Sequence, residues 1–331
     1  LFNLDTMAKG NKRKKVLVTL VAVIAVLPIV LFAASEYMLS FALKPTKNKG
    51  RNSPKELAVM KGRYPWIAGW ADSLQRVNAV RDTFVVASDG DRHHALLIGA
   101  PRKTSETAVI VPGYTDCAID MLQIGYIYNK VMGMNIVIPD LHANGKSDGD
   151  AMQMGWKDRK DVLQWIDIAD SLYRDSTCHA RIVVHGQSMG AATVMNVSGE
   201  KTPPSVKCFV EDCGYSSAWD EFSYELKGLF GLPDVPLLYS ASALCKLRYG
   251  WLFGEASPLK QVAKCRKPML FIHGGGDTFV PTRMVFPLYK AKPAPKYLVV
   301  FPRSAHARSY CDHRKAYEQR ILSFVGKYIS S

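Results

Sequence analysis

The sequence predicts an α/β protein: a mostly parallel, doubly wound sheet with a small helical lid and an apolar N-terminal helix. Three observations predict it. Short runs rich in Val and Ile alternate with longer helical stretches, a Gly-x-Ser-x-Gly pentapeptide sits where one run meets the next stretch, and one insertion is too long for a plain connection. The composition, 48% apolar and 22% charged over 331 residues, is that of a globular chain and excludes a disordered or fibrous one.

The sheet is read from its strands. Thr83–Ala87 and Ala95–Ala100 flank an Asp89-Gly90 turn and predict an antiparallel hairpin. Ala108–Val111, Asn135–Ile138, Arg181–Val184, Val206–Val210, Met269–Ile272 and Tyr297–Phe301 are apolar without alternation, as central parallel strands buried on both faces must be. Helical stretches near 117–132, 157–173, 189–198, 281–291 and 310–328 separate them, which implies right-handed crossovers. Residues 214–262 break this rhythm with a dense set of aromatic and aliphatic side chains, read as a small helical lid over the active site. Residues 64–331 make up this domain. Residues 44–63, polar and basic, read as a linker.

Residues 1–15 form a basic flank containing Lys9, Lys12, Arg13, Lys14 and Lys15. Residues 16–43 open with an apolar run, Val16 to Ala34, close to the roughly 20 residues that span a bilayer. It reads as a single-pass anchor, with a cleaved signal at Ala33-Ala34-Ser35 as the alternative. The basic flank places the N-terminus in the cytoplasm and the rest outside it, secreted or periplasmic if the segment is cleaved.

The net charge of +14 is concentrated here: residues 1–34 hold five Lys/Arg against one acid, and residues 35–63 hold seven against two. A membrane surface explains that distribution. No zinc-finger spacing, RNA-binding aromatic motif or basic recognition helix points to nucleic acid. The seven cysteines show no disulfide framework and read as buried thiols. No H-E-x-x-H, cysteine–histidine zinc pattern, P-loop or G-x-G-x-x-G is present, so neither a metal nor a cofactor is expected. His93 and His94 read as exposed residues of an outer hairpin.

The chemistry is carried by a few loops. Gly186-Gln187-Ser188-Met189-Gly190 follows a strand and opens a helix. A serine on so sharp a turn exposes its hydroxyl, and only small residues fit two positions to either side. A serine needs a base to become a nucleophile. His306, in the loop after the last strand, is the best candidate. His273 ends a strand and suits a structural hydrogen bond, and His313 lies in a helical stretch. Asp277, after His273-Gly274-Gly275-Gly276, is the preferred acid to orient that imidazole, with Asp212 after Val206–Val210 as the alternative. The loop Val111-Pro112-Gly113-Tyr114 follows a strand, so the backbone N–H groups of Tyr114 and Met189 are the expected oxyanion donors.

Together these residues resemble the α/β-hydrolase superfamily from about residue 80 to 328. Gly186–Gly190, His273–Asp277 with Val280-Pro281, and Ala305-His306 match its three catalytic blocks in order. The segment Pro139–Ser147 resembles the superfamily's D-x-R-G-H-G-x-S block but carries His142-Ala143-Asn144 where Arg-Gly-His is common, and Pro112 stands where many members have His. Asp212-Cys213-Gly214-Tyr215-Ser216-Ser217 and the apolar N-terminus resemble a bacterial subgroup of membrane-anchored hydrolases. The resemblance implies a serine hydrolase, carboxylesterase-like, acting on a small acyl or aryl ester through an acyl-enzyme. A peptidase or amidase with the same residues is the alternative, and a silent membrane-anchored binding protein a more distant one.

Overall fold

A computed structural model describes residues 4–44, 51, 53–87, 90–176 and 179–330, with the side chains of residues 4–14, 22 and 23 outside the description. Lys47, Lys49, Asp89 and Cys178 lie outside the described residues, as do the side chains of the basic flank before Lys15.

Eight strands form one sheet in the order β1-β2-β4-β3-β5-β6-β7-β8. β1 (Val80–Val86) and β2 (Arg92–Ile98) are an antiparallel pair, and β2 runs antiparallel to β4 (Asn135–Pro139). From β4 onward all pairings are parallel, through β3 (Glu106–Val111), β5 (Arg181–Gln187), β6 (Val206–Asp212), β7 (Met269–Gly274) and β8 (Lys296–Phe301). The apolar runs follow from this: strands β4, β5, β6 and β7 are covered on both faces, so no position is free to be polar for solvation alone.

The helices of this unit are α2 (Pro54–Arg63), α3 (Ala68–Arg76), α4 (Leu122–Tyr126), α5 (Asp158–Tyr173) and α6 (Met189–Ser198), then α9 (Pro258–Val262), α10 (Val285–Ala291), α11 (Ser309–Asp312) and α12 (Arg314–Ile329). Val183, Val210 and Leu270 of the sheet join Trp70, Ile124, Tyr317 and Ile321 in one buried cluster. Each such side chain removed from water contributes about 1.5–3 kcal/mol before entropy is counted. Within the stretch read as a linker, Pro54–Arg63 is helical. Ser53 accepts from the Lys55 amide, and Glu56 accepts from the Ser53 amide at 2.9 Å, a reciprocal cap written in the sequence as Ser-Pro-Lys-Glu.

One expectation is corrected. His93 and His94 are buried, not exposed, at 1% and 0% exposure. Their strand β2 lies between β1 and β4, and carboxylates supply the partners that solvent would have given: His94 meets Asp82 at 2.8 Å and Asp140 at 2.7 Å.

A separate compact unit gathers the chain up to Ala42 with Ser223–Leu252. It holds most of α1 (Leu4–Leu43), α7 (Ala218–Phe230) from Ser223 on, and α8 (Leu237–Tyr249). Lys15–Leu43 is long and apolar enough to cross a membrane. Contacts within this unit include several just past the apolar run. Ser35 Oγ is 2.7 Å from Ser240 Oγ, Glu36 pairs with Arg248 at 2.5 Å, and the rings of Phe41 and Phe230 meet edge to face at 5.6 Å.

β6 ends in two buried carboxyls, Glu211 and Asp212. Burial pushes the Glu211 carboxyl up to about 8, although the His273 charge and the Gly214 amide at 3.0 Å oppose the rise. A carboxyl raised in the folded state contributes stability that is complete below its ordinary value of 4.5 and lost as pH climbs through about 8. The melting temperature should therefore fall between pH 6 and 9 more steeply in the native protein than in Glu211→Gln, where a neutral amide takes its place. Parallel melting curves for the two proteins would show that Glu211 is ionised throughout.

Candidate active site

Ser188 occupies the turn between β5 and α6 with φ 57° and ψ −122°, a conformation L-residues avoid. The neighbouring glycines explain how the chain can take it. A Cβ on Gly186 would strike the Gly190 carbonyl, and one on Gly190 would strike the carbonyls of Val111 and Pro112. Strand, helix and the loop after β3 thus converge within backbone contact. The strained residue is tethered by its own amide, which donates to the Asp212 carbonyl at 2.8 Å. The Ser188 side chain does not cap α6, so its hydroxyl is left for another partner.

That partner is His306. Its Nε2 lies 2.8 Å from Ser188 Oγ, and its Nδ1 lies 2.7 Å from Asp277 Oδ2. The other Asp277 oxygen accepts from the Phe279 and Val280 amides, each at 3.0 Å, which fixes the carboxylate plane. Burial pushes the Asp277 carboxyl up, but the hydrogen bonds and charges of His273 and His306 outweigh it and hold the group below the usual carboxylate range. His273 donates no bond to Ser188. Its Nε2 sits 2.9 Å from the Val280 carbonyl and 3.5 Å from Asp277, bracing the acid's loop. Asp212, the alternative acid, receives Gln187 Nε2 at 3.0 Å and the Tyr317 hydroxyl at 2.9 Å. The same Tyr317 hydroxyl stands 3.4 Å from His185, whose other ring nitrogen meets Tyr128 at 3.0 Å. Burial drives His185 down to about 3, so it stays neutral. His313 stacks on Phe301 between α11 and α12, away from this group.

Tyr114 lines the same cleft as Ser188, and Met189 follows Ser188 in the chain. Met189 is the first residue of α6, whose N-terminal amides carry a partial positive charge. Gly113 brings the loop after β3 close: a Cβ there would lie 3.4 Å from Ser188 Cβ. Arg51 ties this loop down, donating to the Thr115 carbonyl at 2.5 Å and to Asp120 at 2.7 Å. The cleft over Ser188 measures about 360 Å³ and is lined by Tyr64, Tyr114, Phe279 and His306, and by the charged Arg63, Asp116 and Arg308. Burial and the neighbouring Asp120 raise the Asp116 carboxyl to about 7, against the pull of Arg51, Arg63 and His306. Arg63, Asp116, Arg308 and the Tyr317–Asp212 brace have no sequence signature, because nothing local marks a surface arginine as lining the cleft of a distant serine or a helical tyrosine as meeting a distant carboxylate. Cys213 is a buried thiol beneath the group, with its pKa raised well above the ordinary value by burial.

Residues 130–331 match the prolyl oligopeptidase family. The uncharacterized protein YqkD of Bacillus subtilis is 30% identical over 227 residues, covering 68% of this chain and 73% of its own length. The uncharacterized protein YfhR of Escherichia coli K12 is 25% identical over 192 residues; the match covers 58% of this chain and 60% of YfhR, less than two thirds of that relative. Among solved structures, the Pyrococcus furiosus esterase Pf2001 superposes with a TM-score of 0.62 at 20% identity, covering 77% of this chain and 93% of that one. The acylaminoacyl peptidase of Pyrococcus horikoshii does so at 0.56 and 18%, covering 76% of this chain and 41% of the other. At those identities the two structures share the fold, with its parallel sheet and crossing helices. The chain itself belongs to the prolyl oligopeptidase family, among the serine hydrolases of the α/β-hydrolase superfamily.

Proposed function

We propose that this protein hydrolyses carboxylic esters through an acyl-enzyme on Ser188. The observation that carries the reading is the unbroken hydrogen-bonded line from Ser188 Oγ through both nitrogens of His306 to Asp277, at 2.8 and 2.7 Å. His306 Nε2 takes the hydroxyl proton as Oγ attacks the carbonyl carbon. The negative charge on the carbonyl oxygen is received by the N–H groups of Tyr114 and Met189, and Asp277 keeps the proton of His306 on Nδ1 while stabilising the imidazolium. His306 then protonates the leaving alcohol. Water, activated by the same nitrogen, attacks the acyl carbon and frees Ser188.

A cleft of about 360 Å³ suits a small acyl or aryl ester. The fold shared with the Pyrococcus furiosus esterase is consistent with that class. Membership of the prolyl oligopeptidase family favours a second reading, a peptidase or amidase. The same residues serve it, with an amine as the group that His306 must protonate. A silent binding protein is the least supported, since serine, base and acid are all within bonding reach. We also read α1 as a retained anchor, because its helix continues unbroken through Ala33-Ala34-Ser35, with the enzyme outside the cytoplasm. The helical residues of Ser223–Leu252, gathered with α1 in one unit, would then stand at the membrane surface.

Ser188→Ala should lower kcat for a short-chain p-nitrophenyl ester by about 10⁴-fold or more while the fold is kept. An unchanged rate in the pure variant would remove Ser188 from the chemistry. Protease added to intact spheroplasts should digest the domain, and complete protection would reverse the orientation.

A further inference from the structure

A second group of chemistry-bearing side chains lies at the antiparallel end of the sheet. Asp91 precedes β2, His93 is the second residue of that strand, and His142 follows β4. The strand ladder brings them together. Ala95 pairs with Pro139, and beyond the paired residues the Asp140 amide donates to the His94 carbonyl and the Asp148 amide to the Arg92 carbonyl, each at 2.8 Å. The two imidazoles are buried, with ring centroids 5.7 Å apart and planes at 84°. One donor atom from each of Asp91, His93 and His142 lies within 4.8 Å of the other two.

The spacings have a meaning. Asp91 Oδ2 stands 3.7 Å from His142 Nδ1, and Asp161 Oδ2 of α5 stands 3.6 Å from His93 Nδ1. Both exceed hydrogen-bond length. Two ligands of one tetrahedral ion with metal–ligand bonds of about 2.0–2.1 Å stand about 3.3 Å apart, close to the Asp91–His142 separation. Gly149, at φ 128°, makes room for the second imidazole: a Cβ there would lie 2.5 Å from His142 Nε2. Asp161 stands on the side of the His93 ring where a carboxylate commonly lies beside a metal-bound histidine, 3.6 Å from Nδ1.

We propose that Asp91, His93 and His142 bind one divalent first-row transition ion of the zinc class. His93 uses Nε2, since its Nδ1 faces Asp161; His142 uses Nδ1; and water fills the fourth position. Two imidazoles and one carboxylate select such an ion over magnesium or calcium, which take oxygen ligands. None of the three residues lines the Ser188 cleft. The ion clips the start of β2 to the loop after β4, in the block where this sequence carries His142-Ala143-Asn144. It thereby departs from the absence of metal motifs in the sequence: the ligands come from the start of β2 and from the loop after β4, so no contiguous spacing announces them.

The test uses the full-length, tag-free chain in detergent, stripped with a chelator and titrated with Zn²⁺ by calorimetry, with Co²⁺ absorption as a second readout. One Zn²⁺ per chain and a raised melting temperature are expected. Asp91→Ala and His142→Gln should weaken binding by about tenfold or more, whereas His306→Gln should bind as the native chain does. The His306 variant matters because Cys213, Asp277 and His306 form another three-donor group. Should His142→Gln fail to fold, Asp91→Ala, at a partly exposed carboxylate, decides. No saturable binding to the native chain, or binding that survives Asp91→Ala but is lost in His306→Gln, would overturn the proposal.

Discussion

The structure depends on a single crowded point, where β5, α6 and the loop after β3 come within backbone contact around Ser188. The approach is possible only because residues 186 and 190 carry no side chain. Its energetic cost is a serine at φ 57°, a conformation worth about 1–3 kcal/mol of strain. Two restraints oppose it. The helix that starts at Met189 is buried along its whole length, and the Ser188 amide is held by the Asp212 carbonyl. Once the turn is made, the hydroxyl has no local partner and points at whatever the ends of β7 and β8 deliver.

What they deliver is a carboxylate and an imidazole on two loops that share a wall. The Gly275 amide bonds the Phe301 carbonyl at 2.7 Å, and the Gly276 amide bonds the Ser304 carbonyl at 3.0 Å, so the Asp277 turn is laced to the His306 loop. Around this line buried polar groups hold one another in layers. Gln187 and Tyr317 hold Asp212, and Val280 and Asp277 hold His273. These layers limit the freedom of Ser188, His306 and Asp277, which is what preorganisation requires of the proposed reaction.

Legibility in the sequence followed burial and locality. Strands β3 to β7 were readable because burial on both faces leaves continuous apolar runs, and β1 and β2 because a Gly-containing turn separates two β-rich segments. Ser188, Asp277 and His306 stood out as a set through chain order and the glycines beside two of them; the distances among them belong to the structure. The capped helix Pro54–Arg63 was written in Ser53 and Glu56 but hidden by the charge of its surroundings. The burial of His93 and His94 was not legible, because histidines on a hairpin read as solvated and the carboxylates that replace water, Asp82, Asp140 and Asp161, come from elsewhere in the chain. The grouping of Ser223–Leu252 with the N-terminal helix was equally out of reach, since contacts such as Ser35–Ser240 span 205 residues.

The central claim is that Ser188 is made nucleophilic by His306. The most direct measurement is reaction of the native chain with a fluorophosphonate, followed by mass spectrometry of the modified peptide. The account predicts one adduct, on Ser188, whose rate of formation collapses in His306→Gln although that variant keeps its melting temperature. An adduct on another serine, or one forming on Ser188 at the native rate without the imidazole, would contradict it.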